Sequence, residues 1–462
     1  MKNKLIIFHL LNITIITILY FTGIPFLVEY VEIFYFYIIF TFAIVFLSYI
    51  YVYGFFHLIT FFNFTYFIFI LSAALKGLVT NTLNEFNSLI TVYFPNDLIV
   101  EALLISILSF CIINLFFIFF MPKKILKISR NNFFIMISKK IMLISLPLIV
   151  IKFITIFFYI RKVGYVAYYA GAINNLNFPT LISFSNIFFY FGFYLFIAGM
   201  PNIKEFKVYS LIVIFVMTID ALKGSRSSVV LPILFYFWFL GNYYNINKKK
   251  YIKNFLAIGL ILVIFSQFLA IYRQKANDDF NVSKIIEFAY TQATSLNVII
   301  LYLQNKDNLE PTSIGYIFAP LTFPFVYMSH YKELQGGQSL NAIKYRENLN
   351  HRLTYYLNDH YYLMGGGLGT SFIAEILEFG YIGIMLFSIL LAYLISAIYI
   401  YSNKRIMLFF SYILVTHVLI MSRGSYFVNL WVIMKFIFLY IIFQLIIKLI
   451  KKKKNTLTHQ IC

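Results

Sequence analysis

Met364-Gly365-Gly366-Gly367-Leu368-Gly369-Thr370-Ser371-Phe372-Ile373-Ala374-Glu375 marks the point at which this chain changes its solvent. The only long polar segment, Arg273 to Thr370, ends there. It is rich in Asn, Gln, Tyr and charge and holds His330, His351 and His360, three of the seven histidines. A hydrophobic helix begins on the other side, and nearly everything upstream of Arg273 is also lipid-soluble. With 61% hydrophobic and 12% charged residues, a soluble fold would lack the polar surface to cover its core, whereas a bilayer accepts that ratio over many spans. The expected fold is therefore an all-α polytopic membrane protein.

At roughly twenty residues per span, the apolar stretches give about twelve transmembrane helices. Their expected positions are 5–25, 31–53, 55–76, 98–121, 141–160, 181–200, 206–221, 228–242, 254–272, 374–400, 406–421 and 428–448. The chain divides accordingly into helices 1–9 (1–272), a large loop (273–373), helices 10–12 (374–450) and a basic tail (451–462). The first apolar run, Leu5 to Phe26, is long enough to span and has no small-residue cleavage pattern, so it is expected to stay as the first helix.

The net charge of +20 lies on alternate loops, as the positive-inside rule predicts, which argues against a nucleic-acid partner. Lys2 and Lys4, the block from Lys123 to Lys140, Lys204 and Lys207, Lys248 to Lys253, Lys404 and Arg405, and the tail from Lys448 hold 21 of the 37 basic residues. Glu205 is the one acid beside them, so the whole excess falls on one face. Both termini are expected in the cytoplasm, with the basic loops against anionic membrane lipid. The large polar segment is then expected on the opposite side, with interfacial helices: residues 281–305 read as a helix lying on the membrane surface. Cys111 sits within a span and Cys462 ends the sequence, so neither a structural disulfide nor a cysteine zinc site is expected.

Candidate chemistry gathers at the outer boundaries. Asp220-Ala-Leu-Lys223-Gly224-Ser225-Arg226-Ser227-Ser228 is a polar hairpin offering a guanidinium, hydroxyls and backbone N–H donors, a set suited to oxyanions. Arg273 follows the ninth span, and Ser422-Arg423-Gly424-Ser425-Tyr426 forms the last outer loop. Arg226, Arg273 and Arg423 thus stand at one depth, where a shared anion would draw them together. Lys152 and Lys435 lie within spans, either snorkelling outward or serving an anionic headgroup. Tyr165, Tyr168 and Tyr169 are either interfacial belt residues or a surface for sugar rings. Asp278-Asp279 has no evident third ligand, so no metal is expected. The glycines, Gly366 and Gly367 among them, let backbone approach a ligand, and the helix after them offers free N–H groups to an anion. Glu375 lies in that helix's first turn. Arginine suits a diphosphate because its fork binds oxygens in pairs and stays charged; an apolar diphosphate with a carbohydrate attached would be a saccharide-lipid.

The Gly-Ser-Arg hairpin, the large loop ending in Gly365-Gly-Gly-Leu-Gly-Thr-Ser-Phe-Ile-Ala-Glu375-Ile-Leu-Glu-Phe-Gly-Tyr-Ile-Gly383 and the late Ser-Arg-Gly together resemble the Wzy family of O-antigen or oligosaccharide repeat-unit polymerases. The resemblance runs through roughly residues 210–426. It implies a GT-C-like glycosyltransferase of the bacterial inner membrane, with its active site facing the periplasm. Such an enzyme moves a growing glycan from undecaprenyl diphosphate to a hydroxyl of the next lipid-linked repeat, for O-antigen lipopolysaccharide or capsule. No cofactor is implied, and a Wzz-type chain-length regulator is the implied protein partner. Arg226, Arg273, Arg423, Gly366 and Gly367 would then hold the diphosphate, and His360 and Glu375 are the candidate catalytic bases. An O-antigen ligase would share the architecture and the lipid chemistry. A polysaccharide flippase would share the helix count, but its site belongs near the midplane, without so large a polar segment.

Overall fold

Long apolar runs fold as helices in lipid because only there does each backbone N–H and C=O find its partner within the segment. The computed structural model describes residues 1–80, 85–87, 91–122, 128–164, 176–223, 227–274, 292–334 and 338–461. The chain opens with α1 (Lys2–Thr22), a short α2 (Ile24–Glu29) and α3 (Val31–Tyr53). A third apolar stretch follows as α4 (Leu58–Tyr66), a π-helical turn (Phe67–Leu71) and α5 (Ser72–Thr80). A two-stranded antiparallel hairpin, β1 (Glu85–Asn87) with β2 (Thr91–Tyr93), interrupts an otherwise helical chain. Six long helices come next: α6 (Asn96–Phe120), α7 (Asn132–Val163), α8 (Thr180–Ala198), α9 (Ile203–Ala221), α10 (Ser227–Tyr243) and α11 (Lys248–Gln274). The polar segment contributes α12 (Thr294–Asn305), α13 (Ala319–Ser329), α14 (Leu340–Tyr345), α15 (Leu349–Leu357) and α16 (Asp359–Leu363). The chain then re-enters apolar sequence with α17 (Phe372–Ile376), α18 (Gly380–Ile400), α19 (Arg405–Ile420) and α20 (Leu430–Ile461).

Every expected span overlaps one of these helical stretches. Among the described residues, nine are long and apolar enough to cross a membrane, so this is a multi-pass membrane protein. The expected spans outside that set are α9, which carries Lys204, Glu205, Lys207 and Asp220, α10, which is shorter, and α11, whose side chains are described only as far as residue 264. The second and third expected spans are separate helices, broken at Gly54.

Three boundaries differ from the sequence reading, each for a local reason. Helix α7 starts at an Asn131 cap, whose side chain accepts the Phe134 N–H at 3.2 Å, so Lys139 and Lys140 lie on the helix and not in a loop. Lys139 and Arg130 then both reach Glu205 at the start of α9, at 2.6 and 3.0 Å, tying two helices at one face. Helix α20 does not stop at the basic tail but runs on to Ile461. Helix α12, expected on the membrane surface, is buried almost all round, from Ser295 to Leu303, and packs against α6. It carries no charged residue, so its middle has no charged face to give to water; residues 281–291 are outside the described residues.

The centre of the molecule is α6, the most apolar and most enclosed of the nine, with α1, α12 and α18 against it. Polar pairs fix the register of this core. Asn63 and Asn114 exchange amide hydrogen bonds at 2.8 and 3.1 Å, the Tyr49 hydroxyl donates to the Asn114 carbonyl at 2.6 Å, and Ser109 meets Ser388 at 2.7 Å. In an apolar surround each such contact contributes on the order of 1 kcal/mol and excludes neighbouring registers.

Candidate functional site

Two stretches remote in sequence enclose a cavity of about 370 Å³. Helix α13 forms one wall: Pro320 sits in its first turn, where a missing N–H costs nothing. Its inner residues Ala319, Pro320, Thr322, Phe323 and Val326 line the cavity, while Phe325 and Met328, 64% and 70% exposed, point outward. The end of α14, the turn after it and the first turn of α15 supply Tyr345, Arg346, Asn348 and His351. The last loop, between α19 and α20, supplies Ser425, Phe427 and Asn429. Helix α13 packs on α20, so the wall and the last loop share one support.

Among the described residues the lining holds one arginine, one histidine and no carboxylate. Arg346 donates from Nη2 to the Leu334 carbonyl at 3.2 Å, and its guanidinium lies 5.4 Å from the centre of the Phe323 ring. Its Nε is buried with no protein partner among the described residues, a donor that costs roughly 1–3 kcal/mol until something accepts from it. His351 Nδ1 lies 2.7 Å from the Tyr362 hydroxyl, and Nε2 has no protein partner among the described residues. Burial, with Arg346 adding to it, holds the imidazole down to about 4, so the ring is neutral at pH 7. Phe323, Tyr345 and Phe427 give flat apolar faces, and Asn348, Asn429 and Ser425 add neutral hydrogen-bonding groups. Such a set accepts an oxyanion and a sugar ring together.

The residues expected to act are found in varied settings, and none of them is in the cavity's described lining. Arg423 is exposed, donates to Gln292 Oε1 at 3.2 Å and lies over the Phe69 ring, two residues from the cavity-lining Ser425. Arg226 lies outside the described residues, as do Asp278, Asp279 and the tyrosines at 165, 168 and 169, and of Arg273 only its place on α11 is described. His360 is on the surface, on α16, with its backbone N–H bonded to Asp359. Lys152 turns inward, donating to the Ser183 carbonyl at 2.8 Å, and Lys435 sits 4.9 Å from the Trp431 ring centre.

Glu375 is 1% exposed and accepts from the Thr370 hydroxyl at 3.1 Å and the Tyr426 N–H at 2.9 Å. It therefore clamps the glycine turn to the last loop. The glycine run is stitched internally: the N–H groups of Gly365, Gly366, Leu368 and Gly369 donate to Tyr362, Tyr361, Thr354 and Asn350. Gly365 and Gly369 take positive φ, and a Cβ on Gly366 would stand 2.3 Å from the Tyr361 ring. Gly367 is exposed beside the Asn350 side chain. The helix that follows is five residues long and buried, and a 3-10 turn leads from it to Gly380.

Arg346 carries no sequence signal of its own. It stands in Lys344-Tyr345-Arg346-Glu347, which reads as a water-facing charge run. What singles it out is the aromatic and apolar wall that α13 brings over it from a distance of twenty residues. Arg352 is more deeply buried, and its Nη1 donates to the Glu310 and Pro311 carbonyls at 2.8 and 3.1 Å; its Nε, like that of Arg346, has no protein partner among the described residues, so what sets Arg346 apart is its place in the cavity wall. Among the described residues no three His, Cys, Asp or Glu side chains are grouped as a metal would need.

A many-helix membrane protein with a polar segment closing over a basic, aromatic-walled cavity is the class that fold and site define. The family model for O-antigen polysaccharide polymerase Wzy matches residues 5–454, nearly the whole chain, and the chain belongs to that family. Membership carries with it a membrane glycosyltransferase-type polymerase working on lipid-linked oligosaccharide. No curated protein and no solved structure gives a significant match.

Proposed function

We propose that this protein extends a polysaccharide at the periplasmic face of the bacterial inner membrane, moving the growing glycan from undecaprenyl diphosphate to the next lipid-linked repeat. The cavity carries this reading: a guanidinium with an unused buried donor, a neutral imidazole beside it and, among the described residues, no carboxylate in the lining. The acceptor's sugar hydroxyl forms the new bond to the anomeric carbon as that carbon's bond to the diphosphate oxygen breaks. The hydroxyl proton passes to water, and the lipid diphosphate leaves. Negative charge grows on the departing oxygens, so donors fixed there bind the transition state more strongly than the ground state. Arg346 is the principal donor, and His351, Asn348, Asn429 and Ser425 complete the shell. Arg423 guards the same loop, and Arg226 and Arg273 are further contributors to holding the diphosphate. Phe325 and Met328 face the lipid through which the polyprenyl chain reaches the site.

The purified protein in lipid nanodiscs, given a lipid-linked repeat unit, is expected to produce a ladder of multiples without nucleotide sugar. A single unelongated band from folded protein would end the proposal. Deleting the gene is expected to leave surface polysaccharide carrying single repeats. Lipid-linked chains with none attached would mark a ligase, and repeats trapped on the cytoplasmic side a flippase. Arg226→Ala, Arg273→Ala and Arg423→Ala test the wider diphosphate grip in the same assay.

A further inference from the structure

We propose that Tyr362 is a positioning residue that fixes the tautomer of His351, so that the imidazole presents an Nε2–H donor, and not a base, to the cavity. This rests on the polymerase reading above. Tyr362 is 0% exposed, so its phenolic hydrogen has no water to turn to and must find an acceptor inside the protein. The acceptor at hand is His351 Nδ1, at 2.7 Å. Burial pushes the phenol up to about 12, so the hydrogen stays on the oxygen at any physiological pH. A neutral imidazole that accepts at Nδ1 carries its own hydrogen at Nε2. That nitrogen has no partner among the described residues, and the ring it belongs to lines the cavity next to Arg346.

The phenol is itself held from both sides. Its ring meets Tyr355 edge-on at 5.9 Å, and its carbonyl accepts the Gly365 N–H at 2.9 Å, so the turn that opens the glycine run fixes the backbone from which Tyr362 reaches His351. The glycine stretch thereby acts on the site through a side chain and not by cradling an anion in its own N–H groups. Arg346 and His351 Nε2–H form a pair of donors aimed at one oxyanion, with no proton moved by either.

Elongation kinetics on a purified lipid-linked repeat separate a donor from a base. His351→Gln places an amide N–H where Nε2–H stood and is expected to keep elongating, within about tenfold of the native rate, whereas His351→Ala loses about a hundredfold. Tyr362→Phe keeps the shape and releases the ring, and is expected to lower kcat about tenfold with KM little changed. Added to His351→Ala it should cost nothing further, because its effect runs through the imidazole; Tyr355→Phe should match the native protein. Fluorotyrosine at 362 acidifies the phenol without altering its shape and should also change kcat, which a packing role would not. Inactive His351→Gln, or Tyr362→Phe and fluorotyrosine variants both at the native rate, would overturn the proposal. A native rate for His351→Ala would instead remove His351 from the site, and the wider reading of the cavity with it.

Discussion

Replacing Arg346 by glutamine tests the cavity most directly. The side chain keeps most of its length and its packing near Phe323 but loses the charge and the Nε donor left unused in the protein. Charge-assisted hydrogen bonds contribute about 1.5–3 kcal/mol each, and a guanidinium meets a diphosphate with two. The variant therefore forgoes about 3 kcal/mol or more of transition-state stabilisation, at least about a hundredfold at 1.4 kcal/mol per decade. Because charge grows on the diphosphate only as it departs, most of the loss should fall on kcat. Arg346→Lys keeps the charge without the fork and should sit between, about tenfold down. The fold loses the 3.2 Å bond to the Leu334 carbonyl and the cation–π contact with Phe323, about 1 kcal/mol each, so the variant should still accumulate in the membrane. The assay is ladder formation per unit of membrane protein, with the repeat-unit concentration varied to separate kcat from KM. Elongation by Arg346→Gln within twofold of the native enzyme would refute the placement of the diphosphate in this cavity.

Glu375→Ala strands the buried Tyr426 N–H and should cost about 1–3 kcal/mol, read as a lower unfolding temperature in detergent; Glu375→Gln keeps an acceptor and should lose less, while an inactive Gln variant of unchanged stability would mark Glu375 as a base after all. Gly366→Ala drives a methyl into the Tyr361 ring and should destabilise by about 1–3 kcal/mol while slowing elongation, measured by the same two assays; indifference in both would show that the turn tolerates displacement. His351 held down to about 4 stays neutral well below the ordinary imidazole range. Elongation should therefore be flat from about pH 7.5 to 5.5, where an imidazole of ordinary pKa would be roughly nine-tenths protonated; a fall centred near 6.5 would contradict this.

Much of the architecture can be read from composition, because lipid imposes length and apolarity on every spanning helix and the sequence must display both. Helix ends are less legible. The Asn131 cap that starts α7 early is a single side chain reaching a backbone N–H, and nothing in the apolar pattern announces it. The surroundings of the glycine run are legible as important but not as to role, since the same residues that free a backbone to meet a ligand also free it to meet Asn350, Thr354 and Tyr361. Arg346 and His351 are the least visible of all. Both stand among other charged and polar residues, and only the fold, by laying Phe323 and Phe427 against them, turns two ordinary side chains into a site.

The cavity draws its walls from residues 319–351 and again from 425–429, with the short helices α16 and α17 and the long helices α18 and α19 between them. During synthesis, a chain threaded as far as Ile420 has its arginine and imidazole in place but no Ser425, Phe427 or Asn429 to close over them. Competence therefore arrives with the final hairpin, and a half-made copy, already embedded among lipid-linked sugars, has no finished chamber in which to seize one.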